Sequence, residues 1–273
     1  MFSDKRLAVI GAGMMGDVLV KAILQAQLME PEQVVAADLD EAKLKRLQAD
    51  TGVGVTTDNL AAVAKADLII LAVKPQVMRK VLGQIGSRVR PEQLVISIAA
   101  GITTGVIEAA LPPGTAVIRA MPNSASLVRA GMTVLAMGKA ATAAGEALAS
   151  EIFRSIGPVI LMPEEMLDAA TGLSGSGPAY VYLFIEALAD AGVRVGFTRE
   201  TALQLAARTV YGAAKMVLET GEHPAVLKDM VTSPAGTAIA GLHELERKGL
   251  RGIVMDAVVA AWQRSRELGR EGK

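Results

Sequence analysis

A glycine-rich turn near the start of the chain has the residue types and the spacing that bind a phosphate group. Leu7–Ile10 is a short apolar run, and Gly11, Gly13 and Gly16 follow it directly before a helical pattern. Glycines at these positions permit a tight turn, close approach of the backbone to a pyrophosphate, and close packing of helix on strand. The positive end of the helix dipole adds to the attraction. The sequence therefore predicts a dinucleotide pyrophosphate site at Gly11, Ala12, Gly13, Met14, Met15 and Gly16.

Asp38 is the candidate residue for the ribose of the same dinucleotide. It follows a second predicted strand, Val34–Ala37, and lies about 20 residues after the glycine turn. A carboxylate there accepts hydrogen bonds from the ribose hydroxyls and repels a 2′-phosphate, and no lysine or arginine between Asp38 and Glu41 offsets that repulsion. We therefore expect NAD(P)H as the cofactor, with NADH favoured over NADPH. In the alternative interpretation, Asp38 only caps the helix predicted over Glu41–Leu47.

A second candidate anion site lies in the C-terminal part of the chain. The helical pattern breaks at Val231–Thr237, and apolar residues then return at the spacing of one helical face. Ser233 is predicted to cap that helix, with Pro234 in its first turn. Small residues such as Gly236 let a ligand approach the backbone N–H groups of the helix start, which suits a carboxylate or a phosphate. The alternative is a capped helix start that binds nothing.

Composition argues against several other kinds of chemistry. The chain of 273 residues contains no cysteine, and its two histidines, His223 and His243, do not have the spacing of metal ligands. We therefore predict no metal site. The 28 basic and 28 acidic residues balance, so neither nucleic acid nor an anionic membrane is expected as a partner. Because no apolar run reaches the roughly 18 residues of a membrane span, and Met1–Leu7 lacks the apolar core of a signal peptide, we expect a cytoplasmic protein.

The elements that position the candidate residues alternate between strands and helices as far as about Pro163. Further short strands are predicted at Asp67–Val73, Leu94–Ala99, Ala116–Arg119 and Thr133–Ala136. This alternation is typical of an α/β fold with a Rossmann-like, mostly parallel sheet, whose ligands bind at the carboxyl ends of the strands. Helical patterns rich in alanine and leucine then continue to the C-terminus. We therefore predict a dinucleotide-binding Rossmann domain over residues 1–163 and an all-α domain over residues 164–273.

One predicted helix of the C-terminal domain needs more cover than that domain can supply. The pattern over Ala179–Leu188 is apolar on several faces, and a helical domain of about 110 residues buries such a helix poorly by itself. We therefore predict a homodimer through the helical domain. The alternative is an ordinary core helix of a monomer. Two further helices are predicted near Thr198–Thr220 and Ile253–Leu268.

The stretch Pro224–Glu246 resembles the signature of the pyrroline-5-carboxylate reductase family, which reduces a cyclic imino acid to proline. The matching positions are Pro224, Leu227, Val231, Ser233, Gly236, Gly241, Leu245 and Glu246. The resemblance implies reduction of 1-pyrroline-5-carboxylate to L-proline, the last step of proline biosynthesis, by hydride transfer from NAD(P)H. It also implies a homodimer through the helical domain, or a larger ring of such dimers.

Two positions of this chain differ from the usual family pattern. The family usually has a threonine in place of Ala238, and its hydroxyl is expected to bond the ring nitrogen of the substrate. Ala238 cannot form this bond, so the ring nitrogen is expected to have one fewer partner here. The loop Met121–Ser126 also departs from the usual Met-Pro-Asn-Thr-Pro-Ala at its last three residues, which are all small.

The resemblance assigns roles to individual residues. It implies that Ser233, Gly236 and Thr237 hold the substrate. It also implies that Glu164 reaches the substrate, where a carboxylate would favour the cationic iminium. The residues that it places along the dinucleotide are Asn59, Ala72, Val73, Lys74, Pro75, Ala99 and Ala100. Taken alone, Lys74 and Glu164 are also consistent with solvated surface side chains.

Three other functions share parts of this pattern. A reductase of a related cyclic imino acid would need the same two sites. A hydroxyacid dehydrogenase has a similar two-domain layout, but the family with that chemistry has a catalytic lysine in the glycine-rich turn that opens the helix. In this chain the corresponding stretch, Thr171–Tyr180, contains no lysine. A dinucleotide-binding regulator without enzymatic activity is the third alternative, and Ala238 is the only feature in its favour.

Overall fold

The computed structural model describes residues 1–271, which form two compact units. The sheet unit consists of Met1–Ser176 together with the chain from Ala260 onward, and the helical unit consists of Gly177–Val259. The predicted fold, a Rossmann-like and mostly parallel sheet with a helical C-terminal region, is confirmed.

Within the described residues, eight strands form one sheet in the sheet unit. They are β1 (Leu7–Ile10), β2 (Val34–Ala37), β3 (Gly54–Thr56), β4 (Leu68–Leu71), β5 (Leu94–Ser97), β6 (Ala116–Met121), β7 (Thr133–Met137) and β8 (Val159–Leu161). Their spatial order is β3-β2-β1-β4-β5-β6-β7-β8. Neighbouring strands from β3 to β6 are parallel, β7 is antiparallel to β6, and β8 is parallel to β7. The strand order reverses between β1 and β4, which is where ligands of such sheets bind.

Helices connect the parallel strands, as a parallel sheet requires. Those of the sheet unit are α1 (Met14–Gln25), α2 (Glu41–Thr51), α3 (Asn59–Ala64), α4 (Pro75–Ile85), α5 (Thr104–Glu108), α6 (Ala143–Arg154) and α7 (Leu167–Ala170). Short 3₁₀ turns cover Pro31–Gln33, Ser124–Val128 and Glu164–Met166, and a π-helical turn over Thr171–Gly175 follows α7 directly.

The core of the sheet unit lies on both faces of the sheet. Successive side chains of a strand point to opposite faces, so Leu7 and Val9 of β1 belong to one buried cluster, whereas Ala8 and Ile10 belong to the other. Strands covered on both faces are apolar at every position rather than at every second one. This continuous apolar character is what made β1, β2, β4 and β5 predictable.

The two strands that the sequence analysis missed are both short. β3 and β8 are three-residue strands at the two edges of the sheet, and most of their residues are partly or largely exposed. Edge strands receive support from one neighbour only, so they need no continuous apolar run. The longer predicted strand Asp67–Val73 is correct in position, but its regular part is β4, Leu68–Leu71.

The division between the two units lies later in the chain than residue 163. Leu167 of α7 is fully buried and belongs to a cluster with Val134 and Ala136 of β7. The 3₁₀ turn, α7 and the π-helical turn therefore pack as part of the sheet unit, up to Ser176. The helical domain that the sequence analysis begins at residue 164 stays a prediction.

The helical unit leaves much of its apolar surface uncovered. It contains α8 (Gly177–Arg194), α9 (Arg199–Thr220), α10 (Pro224–Met230) and α11 (Thr237–Arg247), while α12 (Leu250–Glu271) begins in it and ends in the sheet unit. Its buried cluster consists of Ala189, Ala202 and Ala206, with Ile185 packed against them. In contrast, the side chains of Leu183 and Leu218 are 67% and 84% exposed. Across residues 1–271, the helices lack the length and apolar character needed to cross a bilayer.

Candidate functional site

The carboxyl edge of the sheet brings the candidate dinucleotide-binding residues together. The register pairs the last residues of β1, β2 and β4 with one another. The residues that follow these strands therefore start side by side at the same edge. A cleft of about 270 Å³ opens there, and its lining contains the predicted residues Gly11, Gly13, Asp38, Asn59, Ala72, Val73 and Lys74.

The glycine turn is shaped by contacts that exclude a side chain at two of its three glycines. Gly11 has φ +107°, and a β-carbon there would lie 2.6 Å from the carbonyl oxygen of Ala72. A β-carbon at Gly16 would collide with the carbonyl oxygen of Gly11. At Gly13, by contrast, a β-carbon would meet nothing within 4 Å among the described residues, so this position faces open space. The turn therefore has room for a ligand at the glycine where a pyrophosphate approaches the backbone.

The start of α1 offers hydrogen-bond donors to a ligand in that space. Gly13 is the N-cap of α1, and no side chain in the described structure caps the helix there. The first N–H groups of α1 are therefore available to a ligand, and the helix dipole favours an anion. The residues present thus fit a dinucleotide pyrophosphate.

The other predicted residues of the glycine turn differ in burial and in the contacts that they make. Ala12 is buried, and its backbone N–H donates to Asp38 Oδ2 at 2.8 Å. Met14 is exposed, whereas Met15 packs against the buried cluster of the sheet unit.

Asp38 is fixed in place and does not cap α2. Its Oδ2 accepts from the backbone N–H of Ala12, and its Oδ1 accepts from the backbone N–H of Asp40 at 2.9 Å. The N-cap of α2 is Asp40, whose side chain accepts from the N–H groups of Ala42 and Lys43. The backbone hydrogen bond from Lys43, followed by its ammonium group, lowers the pKa of Asp40. The alternative interpretation of Asp38 as a helix cap is therefore wrong.

Two lysines that the sequence analysis did not consider also line the cleft. Lys43 of α2 and Lys80 of α4 lie around it together with Lys74. Lys43 Nζ is 3.2 Å from Asp40 Oδ2, so its charge is partly engaged. No cation occurs between Asp38 and Glu41 in the sequence, but folding brings these ammonium groups to the same cleft. Helical spacing after Pro75 could have revealed Lys80, since it lies in the second turn of α4.

The cleft also contains a pair of amide side chains. Asn59, the first residue of α3, donates through Nδ2 to Gln84 Oε1 at 3.0 Å, and Gln84 lines the same cleft. Pro75 is the first residue of α4, with Lys74 as its N-cap. Asn59 and Pro75 therefore both lie at helix starts on the carboxyl edge of the sheet.

Ala99 and Ala100 lie in the loop that follows β5, outside the lining of the cleft. Ala99 is buried and its N–H donates to Ser97 Oγ at 3.3 Å, and Ala100 is half-buried. This loop follows the strand next to β4, so it lies further along the carboxyl edge than the cleft.

Glu164 is bonded to residues of the protein rather than directed into the cleft. Its Oε1 accepts from the backbone N–H of Thr104, and its Oε2 accepts from Thr104 Oγ1, both at 2.6 Å. Its Oε1 also lies 3.7 Å from Nη1 of Arg119, a residue of β6 that is 1% exposed. Sequence reasoning missed Arg119, because a single arginine at the end of a strand gave no signal of burial.

The loop after β6 is tied to the π-helical turn. Asn123 Oδ1 accepts from the N–H of Ala125 at 3.2 Å, and Asn123 Nδ2 donates to Ser174 Oγ at 3.2 Å. A β-carbon at Gly175 would lie 2.8 Å from Cε of Met121. The π-helical turn is therefore part of the same edge of the sheet unit as the residues that follow β6.

At the second candidate site, in the helical unit, the helix begins later in the chain than predicted. Ser233 does not cap a helix: α11 begins at Thr237, and Gly236 is its N-cap. The stretch before it is a tight turn in which the N–H of Gly236 donates to the carbonyl of Ser233 at 3.0 Å. Ala235 has φ +56°, a left-handed conformation that helical pattern does not predict.

The corrected turn still offers donors for an anion. A β-carbon at Gly236 would collide with Ser233 Oγ, so that hydroxyl lies directly beside the N-cap of α11. The N-cap forms no side-chain capping hydrogen bond in the described structure. Ser233 Oγ and the first N–H groups of α11, beginning with Thr237, are therefore grouped around one short turn.

His223 has a local structural role in the helical unit. It is the N-cap of α10, and its ring accepts from the N–H of Ala225. Among residues 1–271, no group of three or more histidine, aspartate or glutamate side chains could hold a metal ion.

A doubly wound sheet with a glycine turn, an open helix start and an acidic residue after its second strand defines the class of dinucleotide-dependent oxidoreductases. A family model described as NADP oxidoreductase, coenzyme F420-dependent, matches residues 6–101, and one described as pyrroline-5-carboxylate reductase dimerisation matches residues 164–268. The chain belongs to the pyrroline-5-carboxylate reductase family.

Relatives match this chain along nearly its whole length. A pyrroline-5-carboxylate reductase of Methanosarcina acetivorans is 49% identical over 98% of this chain and 99% of its own, and that of Escherichia coli is 40% identical over 98% and 99%. A crystal structure of the Plasmodium falciparum enzyme with NADP bound superposes with a TM-score of 0.89 at 32% identity, covering 98% of this chain and all of that one. The predicted family and enzyme class are confirmed, and the dimerisation match supports a dimer or larger oligomer.

Proposed function

We propose that this chain reduces 1-pyrroline-5-carboxylate to L-proline with NAD(P)H as the hydride donor. The observation that carries the proposal is the full-length match to pyrroline-5-carboxylate reductases, 49% identical in one relative. The cleft with its open glycine turn supplies the dinucleotide site that such a reaction needs. The turn at Ser233 supplies the anion site.

The dinucleotide is proposed to lie along the carboxyl edge of the sheet. The N–H groups at the start of α1 would hold its pyrophosphate, and Asp38 and Asn59 would lie beside its adenosine ribose. When bound, the cofactor supplies a hydride. The protein residues hold and orient the two reactants and exclude water, since the chemistry asks little else of them.

The substrate carboxylate is proposed to bind at the turn Ser233–Thr237. Ser233 Oγ and the first N–H groups of α11 are donors, and a carboxylate at a helix start also benefits from the dipole. The imine is reduced as its iminium, so the ring nitrogen already carries its proton when the hydride adds to the neighbouring carbon. Ala238 gives that nitrogen no hydroxyl partner.

A preference for NADH over NADPH is proposed on the basis of Asp38. Two backbone hydrogen bonds hold this carboxylate in the cleft, so it cannot turn away from a 2′-phosphate. Lys43 and Lys80 oppose this effect, and they set how much activity remains with NADPH. The preference is therefore expected to be moderate rather than absolute.

The assembly is proposed to be a homodimer through the helical unit, or a ring of such dimers. The support is the exposure of large apolar side chains on α8 and its neighbours, whereas the buried cluster of that unit is built on three alanines. A second copy of the chain offers a surface of the same kind, as a two-fold interface requires.

The activity is tested by mixing the protein with NADH and 1-pyrroline-5-carboxylate and following the absorbance of NADH. We expect turnover with proline as the product. Stronger turnover with a six-membered cyclic imino acid would assign the chain to a related substrate. NADH binding without any turnover, for both substrates and both cofactors, would instead support the non-enzymatic regulator.

A further inference from the structure

A buried ionic cluster lies beside the loop that follows β5. Arg119 is 1% exposed, and it lies opposite Ser97 in the register of β5 and β6. Its Nη2 lies 3.1 Å from Asp168 Oδ1, and its Nη1 lies 3.7 Å from Glu164 Oε1. Asp168 Oδ1 also accepts from Ser265 Oγ of α12 at 2.9 Å. We name Arg119, Glu164, Asp168 and Ser265 the Arg119 cluster.

The Arg119 cluster fixes the far end of the loop over residues 98–103. Glu164 accepts two short hydrogen bonds from Thr104, one from its backbone N–H and one from its hydroxyl. Thr104 is the first residue of α5, directly after that loop. The guanidinium of Arg119 lies beside the same carboxylate, so one side chain joins Arg119 to the start of α5.

The last helix fixes the middle of the same loop. Gly101 has φ +75°, and a β-carbon there would lie 2.9 Å from the backbone nitrogen of Gly269 and 3.1 Å from the carbonyl oxygen of Ser265. The backbone of α12 therefore packs directly on the backbone of the loop. Ser265 also bonds to Asp168, so one helical turn of α12 is held both by the cluster and by the loop.

We propose that the Arg119 cluster, acting through Thr104 and α12, holds the loop over residues 98–103 in the conformation that receives the nicotinamide end of the dinucleotide. The inference rests on the proposed function, which places the adenosine end beside Asp38 and so leaves the nicotinamide end towards β5 and β6. Residues of the cluster act through the loop, which makes them positioning residues. Glu164 accordingly serves the cofactor site and not the substrate.

The physical cost of disturbing the cluster supports this role. Arg119 is shared by two carboxylates, so loss of either bonded partner leaves a desolvated group with incomplete pairing. A change in the cluster should therefore weaken contacts at one end of the dinucleotide and leave the glycine turn, on the other side of β4, unchanged.

The test compares the binding of NADH with that of ADP-ribose, which has the adenosine and the pyrophosphate but lacks the nicotinamide. In Ser265→Ala we expect Kd for NADH to rise about fivefold to tenfold, the effect of one hydrogen bond to a charged group. Kd for ADP-ribose should stay within about twofold of the wild type. Ser155→Ala is the matched control, because it removes a similar side-chain hydrogen bond of the sheet unit, to the carbonyl of Ile152.

Variants at Glu164 provide a second and independent measurement. Glu164→Ala should weaken NADH binding at least tenfold, whereas Glu164→Gln should recover most of it, since the amide oxygen still accepts from Thr104. If Glu164→Gln instead abolishes turnover of the imino acid and leaves Kd for NADH unchanged, Glu164 contacts the substrate and the positioning role is wrong.

Other results overturn the inference in distinct ways. Equal losses for NADH and ADP-ribose would show general damage to the sheet unit, and an unchanged Kd for NADH in Ser265→Ala and Glu164→Ala would remove the cluster from cofactor binding. The binding measurements with NADH and ADP-ribose use no substrate. A wild-type protein that binds NADH but turns over no imino acid would therefore overturn the proposed function alone.

Discussion

The sheet unit and the helical unit close their apolar surfaces in different ways. The sheet unit buries large side chains on both faces of its sheet within one chain. In the helical unit the buried cluster is built on three alanines, while large leucines remain exposed. A core closed within one chain is stable at any concentration, whereas a surface that needs a partner depends on association. Variants of the sheet unit should therefore change folding or cofactor binding, and variants of the helical unit should change assembly or substrate binding.

The largest effect is expected from Gly11→Ala in the sheet unit. The β-carbon would meet the carbonyl of Ala72 in a backbone conformation with φ +107°, so strain of about 3 kcal/mol or more is expected in the glycine turn. Calorimetry should show that NADH binding is lost. Gly83→Ala is the control, because a β-carbon at Gly83 in α4 would meet nothing within 4 Å among the described residues. Unchanged NADH affinity in Gly11→Ala would show that the glycine turn is not part of the cofactor site.

The next largest effect is expected from Leu183→Glu in α8. The side chain is 67% exposed in one chain, so a charge there should leave the folded unit intact and disrupt only its association. Sedimentation should show a monomer at concentrations where the wild type is an oligomer, with a loss of at least tenfold in association constant. Val128→Glu, at an exposed site of the sheet unit, should sediment like the wild type. A fully active wild-type monomer would contradict the comparison between the two units.

Ser233→Ala should affect the substrate and spare the cofactor. Losing one hydrogen bond to a carboxylate is expected to raise KM for the imino acid about tenfold and to leave NADH affinity nearly unchanged. Steady-state kinetics with both reactants varied would show this. Ala238→Thr is the complementary change, and a gain in kcat/KM of up to about tenfold is expected if the ring nitrogen lacks a partner. An unchanged KM in Ser233→Ala would place the carboxylate elsewhere.

Asp38→Asn should change which cofactor is preferred without changing the substrate site. The amide keeps an acceptor for the N–H of Ala12 and removes the charge, so kcat/KM for NADPH should rise about fivefold relative to that for NADH. Lys80→Gln should move the same ratio in the opposite direction. A wild-type enzyme with a higher kcat/KM for NADPH would contradict the proposed preference.

The smallest effect is expected from Ser126→Ala, a change within the buried part of the sheet unit. Ser126 Oγ is buried and has no hydrogen-bond partner in the described structure, so its removal should stabilise the protein by about 1 kcal/mol. Ser97→Ala is the matched control, since Ser97 Oγ accepts from the N–H of Ala99 and its loss should destabilise. Chemical denaturation would measure both. A less stable Ser126→Ala protein would mean that the hydroxyl has a partner.

The parts of the fold that the sequence predicted depend on local patterns. The glycine turn could be placed because its strand, its glycines and its helix follow one another within ten residues or so, and each has its own signal. The start of α11 was placed incorrectly because Ser233-Pro234 is a common helix start, whereas the left-handed Ala235 delays the helix to Thr237.

The Arg119 cluster could not be predicted because its members are far apart in the chain. Arg119 and Asp168 are 49 residues apart, and neither belongs to a motif. Glu164 was assigned to the substrate by resemblance, and only the structure reveals its two hydrogen bonds to Thr104. Pairings of this kind depend on the sheet register and on the path of α12, which no local window contains.

The return of α12 to the sheet unit has a consequence for the order of folding. The bond between Asp168 and Ser265 joins residues 97 positions apart, and the whole helical unit lies in the loop that it closes. On a ribosome, α12, the partner of the loop over residues 98–103, emerges after every strand of the sheet has been synthesised. Closing so long a loop is entropically costly and slow compared with local pairing. We therefore expect the sheet to form early and its carboxyl edge to be completed only after α12 has been synthesised.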